Sequence, residues 1–192
     1  MPSSTDRLRP VAVSIALLFA ALTTPAWSAE TRFEIRSAYV EPVEGIYLLT
    51  AQLRFELPDG ARQAVRDGVL LTLDVDLALH RARRFWFDAT VASLAQHYDI
   101  SFHALSERFV VRNLNSGEQN SYATLDAALE SLESIRGLPV LDVAFIEPGE
   151  NYEFSLRATL DVRTLPEALR WVLFWKDDWR QRTVWYSWTP PR

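Results

Sequence analysis

Ile46-Tyr47-Leu48-Leu49-Thr50-Ala51-Gln52-Leu53-Arg54-Phe55-Glu56-Leu57 sets Tyr47, Leu49, Ala51, Leu53, Phe55 and Leu57 on one side and Thr50, Gln52, Arg54 and Glu56 on the other. A period of two is that of a strand with one wet face. The same period returns from Val69 to Leu79, where every odd residue is apolar and Thr72, Asp74, Asp76 and His80 alternate with them. Upstream, Thr31 to Val40 sets Phe33, Ile35, Ser37 and Tyr39 against Arg32, Glu34, Arg36 and Ala38 and predicts another strand. Pro58-Asp59-Gly60 interrupts the pattern, and Ala61 to Asp67 reads as a short helix closed by Gly68.

Beyond His80 no Gly, Pro or Asn appears before Asn113, so the chain must turn without its usual punctuation. The turn is placed near Arg81 to Arg84. Asp88 to Gln96 fits a capped helix or a strand, with strand preferred. Tyr98, Ile100 and Phe102, then Phe109 and Val111, predict a hairpin across Leu105-Ser106. Asn115-Ser116-Gly117 is a turn and Gln119 to Ala123 is extended. Thr124 opens a helix with the stripe Leu125, Ala128, Leu129, Leu132 and Ile135, and Gly137 ends it.

Val140 to Ile146 and Tyr152 to Val162, parted by Pro148-Gly149, predict a second hairpin. Thr164-Leu165-Pro166-Glu167 has the spacing of a capping box, predicting a helix to about Trp175. Val184 to Trp188 predicts a last strand. Hairpins without βα alternation give a mainly β fold, an antiparallel β-sandwich (immunoglobulin-like) of about seven to nine strands with two or three short helices.

The first residues carry an address rather than a fold. Arg7 and Arg9 precede the apolar run Val11 to Leu22, which ends in Thr23-Thr24-Pro25 and Ala26-Trp27-Ser28-Ala29. This is the plan of a secretory signal peptide, predicted to be cleaved after Ser28. A membrane-spanning helix needs roughly 20 apolar residues, and Pro25 closes the run short of that. Residues 29–192 then form a single domain, with no stable membrane span after cleavage.

The full chain of 192 residues is 48% hydrophobic and 23% charged, with a formal charge of −5. Loss of Asp6, Arg7 and Arg9 leaves the exported part more acidic, which speaks against nucleic acid or anionic lipid as partners. The absence of Cys removes thiol nucleophiles, disulfides and iron–sulfur clusters together. No G-x-S-x-G elbow and no glycine-rich phosphate loop is present. No catalytic residue, metal ligand or cofactor site is assigned, and the expectation leans away from an enzyme.

Three groups of residues are candidates for chemistry. Metal or acid–base work falls to His80, His97, His103 and carboxylates: His97 and His103 lie about 20 Å apart on an extended strand, too far to share an ion unless the chain folds between them, whereas His97 and Asp99 are neighbours on one face. Asp74 and Asp76 form a carboxylate pair about 7 Å apart, suited to a cation or to glycoside chemistry. The simpler reading places all of them on a solvated face. The third group is aromatic: Trp171, Trp175, Trp179, Trp185 and Trp188 crowd the tail, and Arg83, Arg84 and Trp86 sit in a second knot. Such rings and guanidiniums suit a protein partner or a glycan, or else pack as core with arginines laid over the rings.

Gly45-Ile46-Tyr47-Leu48-Leu49, Asp67-Gly68-Val69, Arg83-Arg84-Phe85-Trp86-Phe87-Asp88, His103-Ala104-Leu105-Ser106-Glu107-Arg108-Phe109-Val110-Val111, Leu125-Asp126-Ala127-Ala128-Leu129 and Leu165-Pro166 together resemble an uncharacterised exported proteobacterial family, domain of unknown function four-three-nine-zero. The resemblance covers nearly all of residues 29–192. It implies a periplasmic location and a gene neighbourhood that often includes a membrane sensor kinase of the nitrogen-regulation type, and it brings no catalytic residues. The expected function is therefore a periplasmic, non-enzymatic interaction or accessory module of the cell envelope, its partner an envelope protein such as the periplasmic region of a sensor kinase. The alternative is a small-ligand or glycan-binding domain, or a hydrolase using Asp74 and Asp76.

Overall fold

A computed structural model of the protein describes residues 33–82, 89–164 and 180–191. The signal segment, the Arg83 to Asp88 knot and the helix expected after Thr164 lie outside the described residues. The strands are β1 (Phe33–Val43), β2 (Ile46–Phe55), β3 (Leu70–Arg81), β4 (Ala89–His103), β5 (Arg108–Asn113), β6 (Gln119–Tyr122), β7 (Ser134–Asp142), β8 (Tyr152–Thr164), β9 (Gln181–Arg182) and β10 (Tyr186–Trp188). Helices α1 (Asp59–Arg66) and α2 (Leu125–Leu132) complete the described elements with a 3-10 turn at Val143–Phe145.

Every pairing is antiparallel. One sheet has the order β1-β2-β7; the other runs β10-β8-β3-β4-β5-β6, with β9 also on β8. The two share one apolar core, an open sandwich compatible with an immunoglobulin-like arrangement. The strand total exceeds the expected seven to nine because short pieces such as β9, two residues long, and β10, three residues long, count separately.

The central strands follow the sequence period. Leu71, Leu73, Val75, Leu77 and Leu79 of β3 are buried, as are Tyr152, Phe154, Leu156, Ala158 and Leu160 of β8. Burying each such Leu or Val contributes about 1.5–3 kcal/mol. Tyr47 of β2 meets Phe154 of β8 edge to face at 6.0 Å, tying the two sheets together. Helix α1 ends as its glycine requires: Gly68 has φ of 91°, its N–H donates to Val65, and the Val69 N–H donates back to Ala64. That pair of bonds is the Schellman closure.

Three expectations are corrected. The face assigned to Tyr39 is inverted, because the β1–β2 register shifts between Ile35 and Ser37. The extra residue of this bulge moves the following side chains to the opposite face, so Ala38 and Val40 are buried and Tyr39 is exposed. Second, the helix after Thr124 stops at Leu132, not at Gly137. Thr124 caps it by accepting a hydrogen bond from the Ala127 N–H at 3.2 Å. Ile135 and Gly137 belong to β7, where Gly137 (φ 61°) lies in a second bulge, between the β2 partners Leu49 and Ala51. Third, the hairpin of Val140–Ile146 with Tyr152–Val162 does not form. β7 ends at Asp142 beside β2, and β8 lies in the other sheet beside β3. The Pro148-Gly149 segment thus carries the chain between sheets rather than turning it within one.

Candidate functional site

The side chains that alternate with the β3 leucines face away from the core, and their partners come from strands distant in sequence. Asp74 stands opposite His97 on β4 and Thr159 on β8. Its carboxylate takes the His97 Nδ1 at 2.6 Å. An ionised carboxylate only accepts, so the imidazole Nδ1–H is the donor in this contact. His97 is also held by its backbone: its N–H donates to the Asn115 Oδ1 at 2.8 Å, and its carbonyl accepts from the Leu114 N–H at 2.8 Å. The 113–117 turn therefore clamps this point of β4. An oriented imidazole can relay a proton, but among the described residues no hydroxyl is bonded to His97.

Asp76, opposite Arg157 on β8, accepts from its guanidinium at 3.1 Å. The same guanidinium lies 4.2 Å from the centre of the Trp185 ring. Arg157 is the residue that sequence reading passed over, since its outward position on β8 was legible but its neighbours were not. It joins the two features that looked separate in sequence, the carboxylate pair and the tryptophan-rich tail. Asp74 and Asp76 themselves are each committed to a different basic partner.

The tail tryptophans that are described divide between inside and outside. Trp185 is 46% exposed and follows Val184, which is 85% exposed. Trp188 instead stacks on Phe154 of the core at 5.6 Å with planes 18° apart. A spacing of three along an extended chain sends the two rings to opposite faces, a signal available in the sequence. Trp171, Trp175, Trp179, Arg83, Arg84 and Trp86 lie outside the described residues.

The remaining histidines have local partners. His80 Nδ1 is 3.3 Å from the Thr90 hydroxyl, and His103 Nδ1 is 2.9 Å from the Ser106 hydroxyl in the β4–β5 turn. His97 turns its Nδ1 to Asp74. Among the described residues no group of three His, Asp or Glu side chains is placed to hold a metal. Nor is any described helix long and apolar enough to cross a membrane.

One titratable group on the inner side departs from its ordinary behaviour. Burial, reinforced by the Glu118 carboxylate, raises the Tyr98 hydroxyl above the usual tyrosine range. It therefore stays protonated at neutral pH.

No curated protein and no solved structure matches the chain. Residues 30–189 match the model of the family described as Domain of unknown function (DUF4390). Since that match spans most of the sequence, the chain belongs to the DUF4390 family.

Proposed function

We propose that the protein is an exported, non-enzymatic interaction module of the cell envelope whose contact patch is centred on Trp185, with Val184 and Arg157 beside it. The observation that carries this reading is the half-exposed Trp185 ring with the Arg157 guanidinium 4.2 Å from its centre. Aromatic and arginine side chains dominate the energetics of protein interfaces. Here Asp76 already holds the guanidinium in place, so little side-chain freedom is left to lose on binding. The leader-like residues 1–28 support export, and the family resemblance points to the periplasmic region of a membrane sensor kinase as the partner.

The test is calorimetric binding of the purified protein to the purified periplasmic region of a membrane sensor kinase of the nitrogen-regulation type from the same organism. Trp185→Ala is expected to weaken binding by about thirtyfold, the loss of about 2 kcal/mol typical of a central aromatic anchor. Absence of binding, or binding unchanged by Trp185→Ala, overturns the reading. Export is checked separately by intact mass of the secreted chain, expected to begin at Ala29.

A further inference from the structure

The larger sheet is wider than the smaller one, and strand β7 marks where the smaller one stops. Helix α2 packs against β5, β6 and β7 and covers part of the overhang. What is left open is a cleft with two adjoining lobes, of about 260 and 190 Å³. Tyr98, Ser131 and Leu132 line both lobes and mark where they meet.

The walls specify a ligand shape. One side of the larger lobe is the consecutive run Ser134 to Pro139 of β7. Among the described residues that strand pairs with β2 alone, so it is an edge there. An edge beside an apolar groove is the setting in which an extended peptide adds as a further strand. At about 3.3 Å per residue, this run is about 17 Å long, room for the C-terminal part of an extended peptide. The apolar floor comes from Leu73, Leu132, Ile135 and Leu138. A Cβ built on Gly137 would meet nothing within 4 Å, so the bulge leaves open space at this edge.

The polar groups specify the ends. Tyr98 sits between the lobes, and its hydroxyl makes no hydrogen bond to any described residue, leaving a protonated donor for a ligand carbonyl. Glu118 lines only the smaller lobe and Arg136 only the larger. Glu118 uses one oxygen to accept from Asn120 at 3.1 Å, and Arg136 donates its Nε to Ser134 at 2.9 Å. The second carboxylate oxygen and the terminal guanidinium nitrogens keep acceptor and donor capacity, one charge in each lobe and of opposite sign.

We propose that this cleft binds a short free peptide with an apolar side chain, its amino terminus in the smaller lobe at Glu118 and its C-terminal part extended along β7 with the carboxylate at Arg136. The apolar side chain rests on Ile135 and Leu138, and a peptide carbonyl accepts from the Tyr98 hydroxyl. The site lies on the inner side of the larger sheet, away from Trp185.

The experiment is titration calorimetry of the purified protein with the tetrapeptide Ala-Leu-Ala-Ala and with its N-acetylated and C-amidated forms. Saturable binding is expected, weakened about tenfold or more by either block, the scale of a lost charge-assisted hydrogen bond. In Glu118→Gln, N-acetylation should cost nothing further, and in Arg136→Gln amidation should cost nothing further. Both residues are exposed, so the variants retain the fold. Trp185→Ala should bind the peptide as the parent does. No binding at millimolar peptide, or blocked peptides binding as tightly as the free one, overturns the proposal.

Discussion

The two faces of β3 obey different rules. Its inner side chains are apolar and buried whatever their exact neighbours, because removing hydrocarbon from water is non-directional. Its outer side chains include Thr72, Asp74 and Asp76, and each bonds to a particular group on another strand: the Asp161 carbonyl, the His97 ring and the Arg157 guanidinium. The inner face therefore holds the fold together, while the outer face arranges charge and ring positions at smaller energetic stake.

The largest test of that contrast is Leu73→Ala. Leu73 is fully enclosed, and its truncation is expected to cost about 2–5 kcal/mol in chemical unfolding. A loss below about 1 kcal/mol would mean that the core collapses around the cavity and that the faces do not differ as described. Next in size is Arg157→Ala, which removes both the Asp76 contact and the stacking on Trp185. About 1–2 kcal/mol should be lost, with acrylamide quenching of Trp185 rising. An unchanged quenching constant would show that the ring is held by something other than the guanidinium.

A double-mutant cycle of Asp74→Ala with His97→Ala should give a coupling of about 1 kcal/mol or less. A coupling of several kcal/mol would move this pair from the outer rule to the inner one. The smallest effect at neutral pH is expected for Tyr98→Phe, which sharpens the comparison from the inner side. Burial raises the Tyr98 value above its ordinary 10.0. Below that pH the group is neutral folded and unfolded alike. As pH rises beyond it the unfolded chain ionises first, and stability falls. The Tyr98→Phe variant has no hydroxyl to ionise and should lessen this alkaline loss, measured by thermal unfolding between neutral and alkaline pH.

How much of this was legible follows the same division. The burial faces of β2, β3 and β8 could be read residue by residue, since alternation is a local property of the chain. The Thr124 cap and the Gly68 closure were equally local. Gly137 misled because a glycine after an apolar helical stripe normally ends the helix, whereas here Leu132 ends it and the glycine serves a bulge. The pairing of β8 with β3 was hidden, since strand order depends on how whole sheets pack. Without that order, neither Arg157 between Asp76 and Trp185 nor the juxtaposition of Tyr98, Glu118 and Arg136 could be seen. Each is a meeting of elements far apart in sequence.

The bulge at Ile35–Ser37 gives β1 one residue to spare. Arg36 is exposed there, and its side chain makes only an exposed contact to Glu34, so replacing it with another polar residue should be tolerated. Deleting it takes out the extra residue of the bulge. Phe33, Ile35, Ala38 and Val40 then fall in strict alternation on the inner side while Tyr39 stays outside, so an in-frame loss of this one codon should leave the facing of β1 unchanged.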